Sequence, residues 1–187
     1  TATYYGAHEL DVEGLTLSGG QNSINALSGT QYPRIVNMTM TSPSQNGVYL
    51  VAGNLYFNDL IFTGNTISTV GNGYYALNQE SGGFVQNSQI LNNTITNVLG
   101  QGRGIILHNN SGTPLTGSGN VITNTGANPW YAAEVGAVSF TGNTITNGSY
   151  GGGTYMGASF VNVDGNVTAT GNTVSGQVNF GGGGYGD

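Results

Sequence analysis

The chain has 187 residues, no cysteine, two basic side chains (Arg34 and Arg103) against eight carboxylates, and a net charge of −6. Two cations cannot neutralise a phosphate backbone, which excludes nucleic acid as a partner, and the lack of Cys excludes disulfide stapling. No apolar run approaches the ~18 residues of a helical membrane span, and a charged fraction of 5%, against about 25% in an ordinary domain, leaves Asn, Thr, Ser and Gly to keep the surface hydrated.

Residues 1–9 read as an N-terminal segment and a candidate inter-subunit arm. From residue 10 to residue 180 one turn-plus-strand unit recurs. Its clean copies are Gly64-Asn65-Thr66-Ile67-Ser68, Asn92-Asn93-Thr94-Ile95-Thr96, Gly142-Asn143-Thr144-Ile145-Thr146 and Gly171-Asn172-Thr173-Val174-Ser175. Looser copies centre on Leu17, Met40 and Ile122. A unit repeated through most of a chain describes an architecture before it describes a site. Residues 181–187 form a Gly-rich tail.

Aligning the seven units on their central apolar residue exposes three columns. Three positions earlier stands Gly14, Asn37, Gly64, Asn92, Gly119, Gly142 or Gly171. Gly and Asn are the residues that tolerate positive φ, so this column predicts one tight corner per coil. Five positions earlier stand Val12, Ile35, Phe62, Ile90, Gly117, Phe140 and Ala169, and seven earlier Leu10, Pro33, Leu60, Ser88, Leu115, Val138 and Val167. Apolar residues at period two predict a strand with one buried face, then the corner, then a second short strand. A third strand per coil is expected in Gly47–Leu50, Gly73–Leu77, Gly104–Leu107, Trp130–Ala133 and Tyr155–Ala158. The prediction is an all-β, single-domain parallel β-helix of about seven coils, with three short strands per coil.

The stretch Gly104-Ile105-Ile106-Leu107-His108-Asn109-Asn110-Ser111, with Asn120-Val121-Ile122 and Gly142-Asn143-Thr144-Ile145, resembles the right-handed parallel β-helix repeats of pectin-lyase-like enzymes, alginate epimerases, phage tailspikes and many surface proteins. The surface proteins are the nearer likeness. The resemblance covers roughly residues 8 to 180 and implies an inward Asn ladder at the corner, for which Asn65, Asn93, Asn120, Asn143 and Asn172 occupy a matching column. It also implies what an enzyme of this fold requires: a carboxylate cluster and a base that moves the proton at carbon five of a uronate. The residues open to such a role are Arg103, His108 and Glu80, and their other reading is an Arg and a His paired to acids on a polar face. A structural protein rather than an enzyme is the expectation.

Other candidates follow from residue type. Glu9, Asp11 and Glu13 alternate along one strand face and form a weak calcium site or a solvated acidic edge; no other cofactor is expected. Sequons at Asn37, Asn92, Asn109, Asn147 and Asn166 are candidate N-glycosylation sites, with Asn147 beside a Gly-rich loop expected to be the most exposed. The residues flanking each central apolar residue should point outward as two rows, drawn from Thr39, Thr66, Thr94, Thr144 and Thr173, and from Thr41, Ser68, Thr96, Thr146 and Ser175. Regular Thr-x-Thr rows resemble the ice-binding face of some β-helical antifreeze proteins; Thr is also simply a good exposed strand residue.

A parallel β-helix ends in unpaired strand edges, and no amphipathic helix at either terminus would cover them. Eleven Tyr, six Phe and Trp130 suit packing between subunits. The expected function is therefore a self-assembling extracellular structural protein of a filament, sheath or surface layer. Its expected partners are copies of itself, joined end to end and laterally, and glycans. The alternatives are a polysaccharide lyase, epimerase or glycan-binding β-helix, and an ice-binding protein. A chain opening at Thr1 without Met fits a processed mature protein at the cell surface or a trimmed piece.

Overall fold

A computed structural model describes residues 1–4, 9–27, 30–51, 56–79, 84–108, 113–146 and 157–181. Among them every strand pairing is parallel, and the strands stack into three long sheets that wind about one axis. The first face holds Glu9–Glu13, Tyr32–Val36, Ile61–Thr63, Ser88–Leu91, Leu115–Ser118, Val138–Thr141 and Val167–Thr170. The second holds Thr16–Ser18, Thr39–Thr41, Thr66–Val70, Thr94–Val98, Val121–Thr125, Thr144–Thr146 and Thr173–Val174. The third holds eight strands: Ala2–Tyr4, Ile24–Ala26, Val48–Leu50, Leu77–Gln79, Ile105–His108, Trp130–Ala133, Ala158–Val161 and Val178–Phe180. The all-β parallel solenoid is thus present, with seven strands on two faces and eight on the third.

The columns read from the sequence are the hydrogen-bonding register. Val12 lies opposite Ile35, Ile35 opposite Phe62, Phe62 opposite Ile90, and so on to Ala169. On the second face Leu17, Met40, Ile67, Ile95, Ile122, Ile145 and Val174 form one column. Each corner residue from Gly14 to Gly171 has positive φ, from 52° at Asn37 to 70° at Gly14. Such a corner turns the chain sharply without interrupting either strand, and only residues with a small left-handed penalty occupy it.

The interior changes character along the axis. Met38, Met40, Ile67, Leu60 and Leu50 fill the N-terminal half. Farther on, Trp130 meets Phe140 edge-to-face with centroids 5.5 Å apart, and Phe140, Phe160 and Phe180 continue the contact. Gly117 breaks the apolar column beside them because space is needed: a Cβ there would lie 2.6 Å from Trp130 Cη2.

Several boundaries differ from expectation. The strand expected at Gly73–Leu77 occupies Leu77–Gln79, because Asn72-Gly73 makes a turn, with Gly73 at φ 80°, before the chain re-enters the sheet. The strand expected at Tyr155–Ala158 runs over Ala158–Val161, and residues 155–156 lie outside the described residues. Ala2–Tyr4, read as part of a separate segment, pairs with Ile24–Ala26 and extends the third face. Tyr56–Phe57 and Phe84–Val85 add a two-stranded sheet at a corner. A second column of positive φ was also missed: Gly19, Ser42, Thr69, Asn97, Asn124 and Gly176. Its mixture of Ser and Thr with Asn and Gly hides the corner from a reading based on Gly and Asn alone.

Candidate functional site

The Asn column forms a continuous amide ladder. Asn65 Nδ2 donates to Asn93 Oδ1 at 3.0 Å and to Ile35 O at 2.9 Å, and the Asn65 N–H donates to the same Oδ1 at 3.0 Å. The pattern passes from Asn93 to Asn120, Asn143 and Asn172. Asn65, Asn93, Asn120 and Asn143 are wholly buried. Low dielectric strengthens each bond and makes an orphaned partner costly, so these residues hold the corner rather than a ligand.

A second amide network, which the sequence reading missed, runs the other way at another corner. Asn46 donates from its N–H and its Nδ2 to Asn22 Oδ1, both at 2.9 Å, and Asn46 Oδ1 accepts from the Tyr75 N–H and Asn78 Nδ2. The signal was present in Asn22 and Asn46, each two residues before a buried apolar strand residue.

The Thr and Ser rows of the second face point outward in register. Thr16, Thr39, Thr66, Thr94, Val121, Thr144 and Thr173 form one row. Ser18, Thr41, Ser68, Thr96, Thr123 and Thr146 form the second, and Ser175 follows Val174 at the end of it. All are exposed or half-buried, Val121 at 38%. No aromatic or charged side chain interrupts either row.

Of the residues named for an enzyme, His108 ends a strand of the third face and Arg103 lies just before that strand. Glu80 falls outside the described residues. Arg103 and His108 both approach the ring of Tyr131: the guanidinium carbon lies 5.2 Å from the ring centroid and the imidazole centroid 6.4 Å away. The His108 N–H donates to Gln79 Oε1 at 2.8 Å, and His108 Nε2 is buried without a partner. Around them Ile106, Tyr131, Ala133 and Val161 form a second apolar cluster on the outer side of the sheet. Among the described residues no carboxylate joins this group, so it has a guanidinium, an imidazole and an aromatic ring but no described acid for proton transfer.

At the first coil, Arg34 Nη1 lies 2.6 Å from Asp11 Oδ1 and 2.9 Å from Glu13 Oε2. The bonds to Glu13 and then to Asp11 raise the Arg34 pKa above its ordinary value. Two of the three carboxylates proposed for calcium are thus held by a guanidinium that a cation would have to displace, while Glu9 stands opposite Tyr32. No group of three or more His, Asp or Glu suited to a metal occurs among the described residues.

Of the sequons, Asn37 and Asn92 are exposed but sit in the left-handed corner, where Asn37 Nδ2 reaches Glu13 Oε1 at 3.5 Å. Asn166 is exposed just before Val167–Thr170, and Asn109 and Asn147 lie outside the described residues.

Comparison with protein families finds that the one described as "Right handed beta helix region" matches residues 3–174. Comparisons with curated proteins and with solved structures found no match.

Proposed function

The chain belongs to the right-handed β-helix family, and from that premise we propose that it is a structural subunit that associates end to end with copies of itself in an extracellular filament, sheath or surface layer. One observation carries the reading. Val167 and Ala169 occupy columns that are buried in every earlier coil, yet the whole strand Val167–Thr170 is exposed, with Val167 at 41% and Val178 nearby at 37%. At the opposite end Leu15 is 49% exposed, and Leu17 is only half-buried. Among the described residues both ends present apolar side chains and unpaired parallel strand edges, which are complementary in kind, and a head-to-tail contact of this type propagates.

The energies make the apolar layer necessary. Pairing three short strands adds on the order of ten ladder hydrogen bonds at about 0.5–1.5 kcal/mol each, against an association cost of about 4–15 kcal/mol. Hydrogen bonding alone is marginal, and burial of Val167, Ala169, Val174 and Val178 supplies the surplus. Low charge on the outer faces leaves little like-charge repulsion to oppose lateral packing.

Electron microscopy with light scattering across protein, salt and calcium concentrations tests the proposal. Concentration-dependent rods are expected, lost in Val167→Asp while the circular dichroism of the soluble chain is unchanged. Monodisperse monomers throughout would overturn it, including the case in which a longer chain folds a further coil over Val167–Thr170.

A further inference from the structure

The described strands do not fill a whole number of turns. The first and second faces hold seven strands each and the third holds eight, because Ala2–Tyr4 and Val178–Phe180 both lie on it. Building on the end-to-end reading, we propose that the contact between copies is a strand exchange: Val178–Phe180 of one copy displaces Ala2–Tyr4 of the next and pairs with that copy's Ile24–Ala26.

The odd strand creates the conflict. The chain winds from first face to second to third, and neighbouring strands on a face are about 4.8 Å apart. Seating Glu9–Glu13 of one copy on Val167–Thr170 of another, and Thr16–Ser18 on Thr173–Val174, brings like faces together and sets the left-handed corner at Gly14 over that at Gly171. In that position Ala2–Tyr4 of the first copy and Val178–Phe180 of the second fall at the same height on the third face, and only one of them fits. If both stay, the copies stand one strand spacing farther apart, with Val167 still in water. Turning one copy by a third of a turn would let every edge pair, but it sets the two-residue corner Gly14-Leu15 over the three residues Ser175–Gln177 and puts the inward columns out of line.

Packing selects the strand that yields. The two strands share register and residue type: Ala2, Thr3 and Tyr4 stand opposite Ile24, Asn25 and Ala26, and Val178, Asn179 and Phe180 stand opposite Ala158, Ser159 and Phe160, in the same three columns. Val178–Phe180 is the better filler. Phe180 stacks on Phe160 with centroids 5.0 Å apart and planes 3° from parallel, and it also meets Phe140. Its approach is fastened by Gln177 O, which accepts from the N–H groups of Gly157 and Ala158. Val178, 37% exposed in the free chain, gains Ile24 of the next copy as a cover, and more apolar surface leaves water than the methyl of Ala2 can bury in the same column. The bond from Asn25 Nδ2 to Thr3 Oγ1 is exposed and 3.3 Å long, and the incoming Asn179 brings an amide to that position. Ala2–Tyr4 thus acts as a removable cover that keeps the edge of Ile24–Ala26 paired until another copy arrives.

Paired cysteines, in a chain that has none, test the exchange. Register partners about 4.8 Å apart lie within disulfide reach. Thr3→Cys with Asn25→Cys locks the N-terminal strand in place, and Ser159→Cys with Asn179→Cys locks the C-terminal one. In electron microscopy with light scattering, the oxidised first pair should lose its rods and regain them on reduction with dithiothreitol, while the oxidised second pair should assemble as the parent chain does. Rods from the oxidised first pair would overturn the exchange and leave end-to-end association standing, and so would loss of rods in the oxidised second pair. A parent chain that forms no rods would overturn the end-to-end reading and the exchange with it.

Discussion

The first and last coils are made from the same columns yet differ in how their interiors are covered. Leu10 and Val12 are 3% and 4% exposed at one end, whereas Val167 and Ala169, their equivalents at the other, are exposed. The difference teaches that a column assigns a side chain its direction, while burial needs material on both sides of the layer. Between these ends the interior shifts from aliphatic and Met packing to an aromatic stack around Trp130, so the two halves should also respond differently to substitution.

The largest effect is expected where the amide ladder is deep. Asn120→Ala removes the donor to Ile90 O and to Asn143 Oδ1 and leaves the Asn93 N–H and Nδ2 without their acceptor. At about 1–3 kcal/mol per orphaned buried group, the loss should reach about 3 kcal/mol in urea unfolding. Asn172→Ala, in the half-covered last coil, should cost about 1 kcal/mol. Equal losses at the two positions would show that the terminal coil is covered after all.

Next in size is the aromatic half. Gly117→Ala drives a methyl into Trp130 and should cost about 2 kcal/mol through overpacking, with a change in the fluorescence of this sole tryptophan. An unchanged melting temperature would mean that the stack has slack.

The smallest effect has the opposite sign. Thr69 holds φ 57°, an outlier for a β-branched residue, in a column where Asn97 and Asn124 sit comfortably and Asn124 Nδ2 reaches Asn97 Oδ1 at 3.2 Å. Thr69→Asn should stabilise the chain by about 1 kcal/mol, seen as a higher midpoint in calorimetry. A lower midpoint would place the strain elsewhere.

These contrasts show which features were legible in advance. The Gly/Asn corner, the inward columns of the first two faces and the Asn ladder were visible because each demands particular residue types at constant spacing. The second corner was not, since Ser42 and Thr69 adopt there a conformation that their chemistry does not advertise. The third face was harder still: Asn72-Gly73 defers its strand by four residues, and Ile106, Tyr131 and Val161, which alternation would put in solvent, are buried on its outer side. That Arg103 and His108 lie near one another could be conceived from the chain, but their shared contact with the Tyr131 ring could not.

By itself the sequence determined the winding unit, its register on two faces and the direction of the side chains in those columns. These follow from local backbone sterics and a period of two, which act within a few residues. Only the tertiary structure decided which columns are sealed, where the aromatic stack falls, that Arg34 takes up Asp11 and Glu13, and that the hydroxyl rows stand open and in line. Those outcomes depend on stacking residues more than twenty positions apart, and local chemistry does not specify how neighbouring coils cover one another.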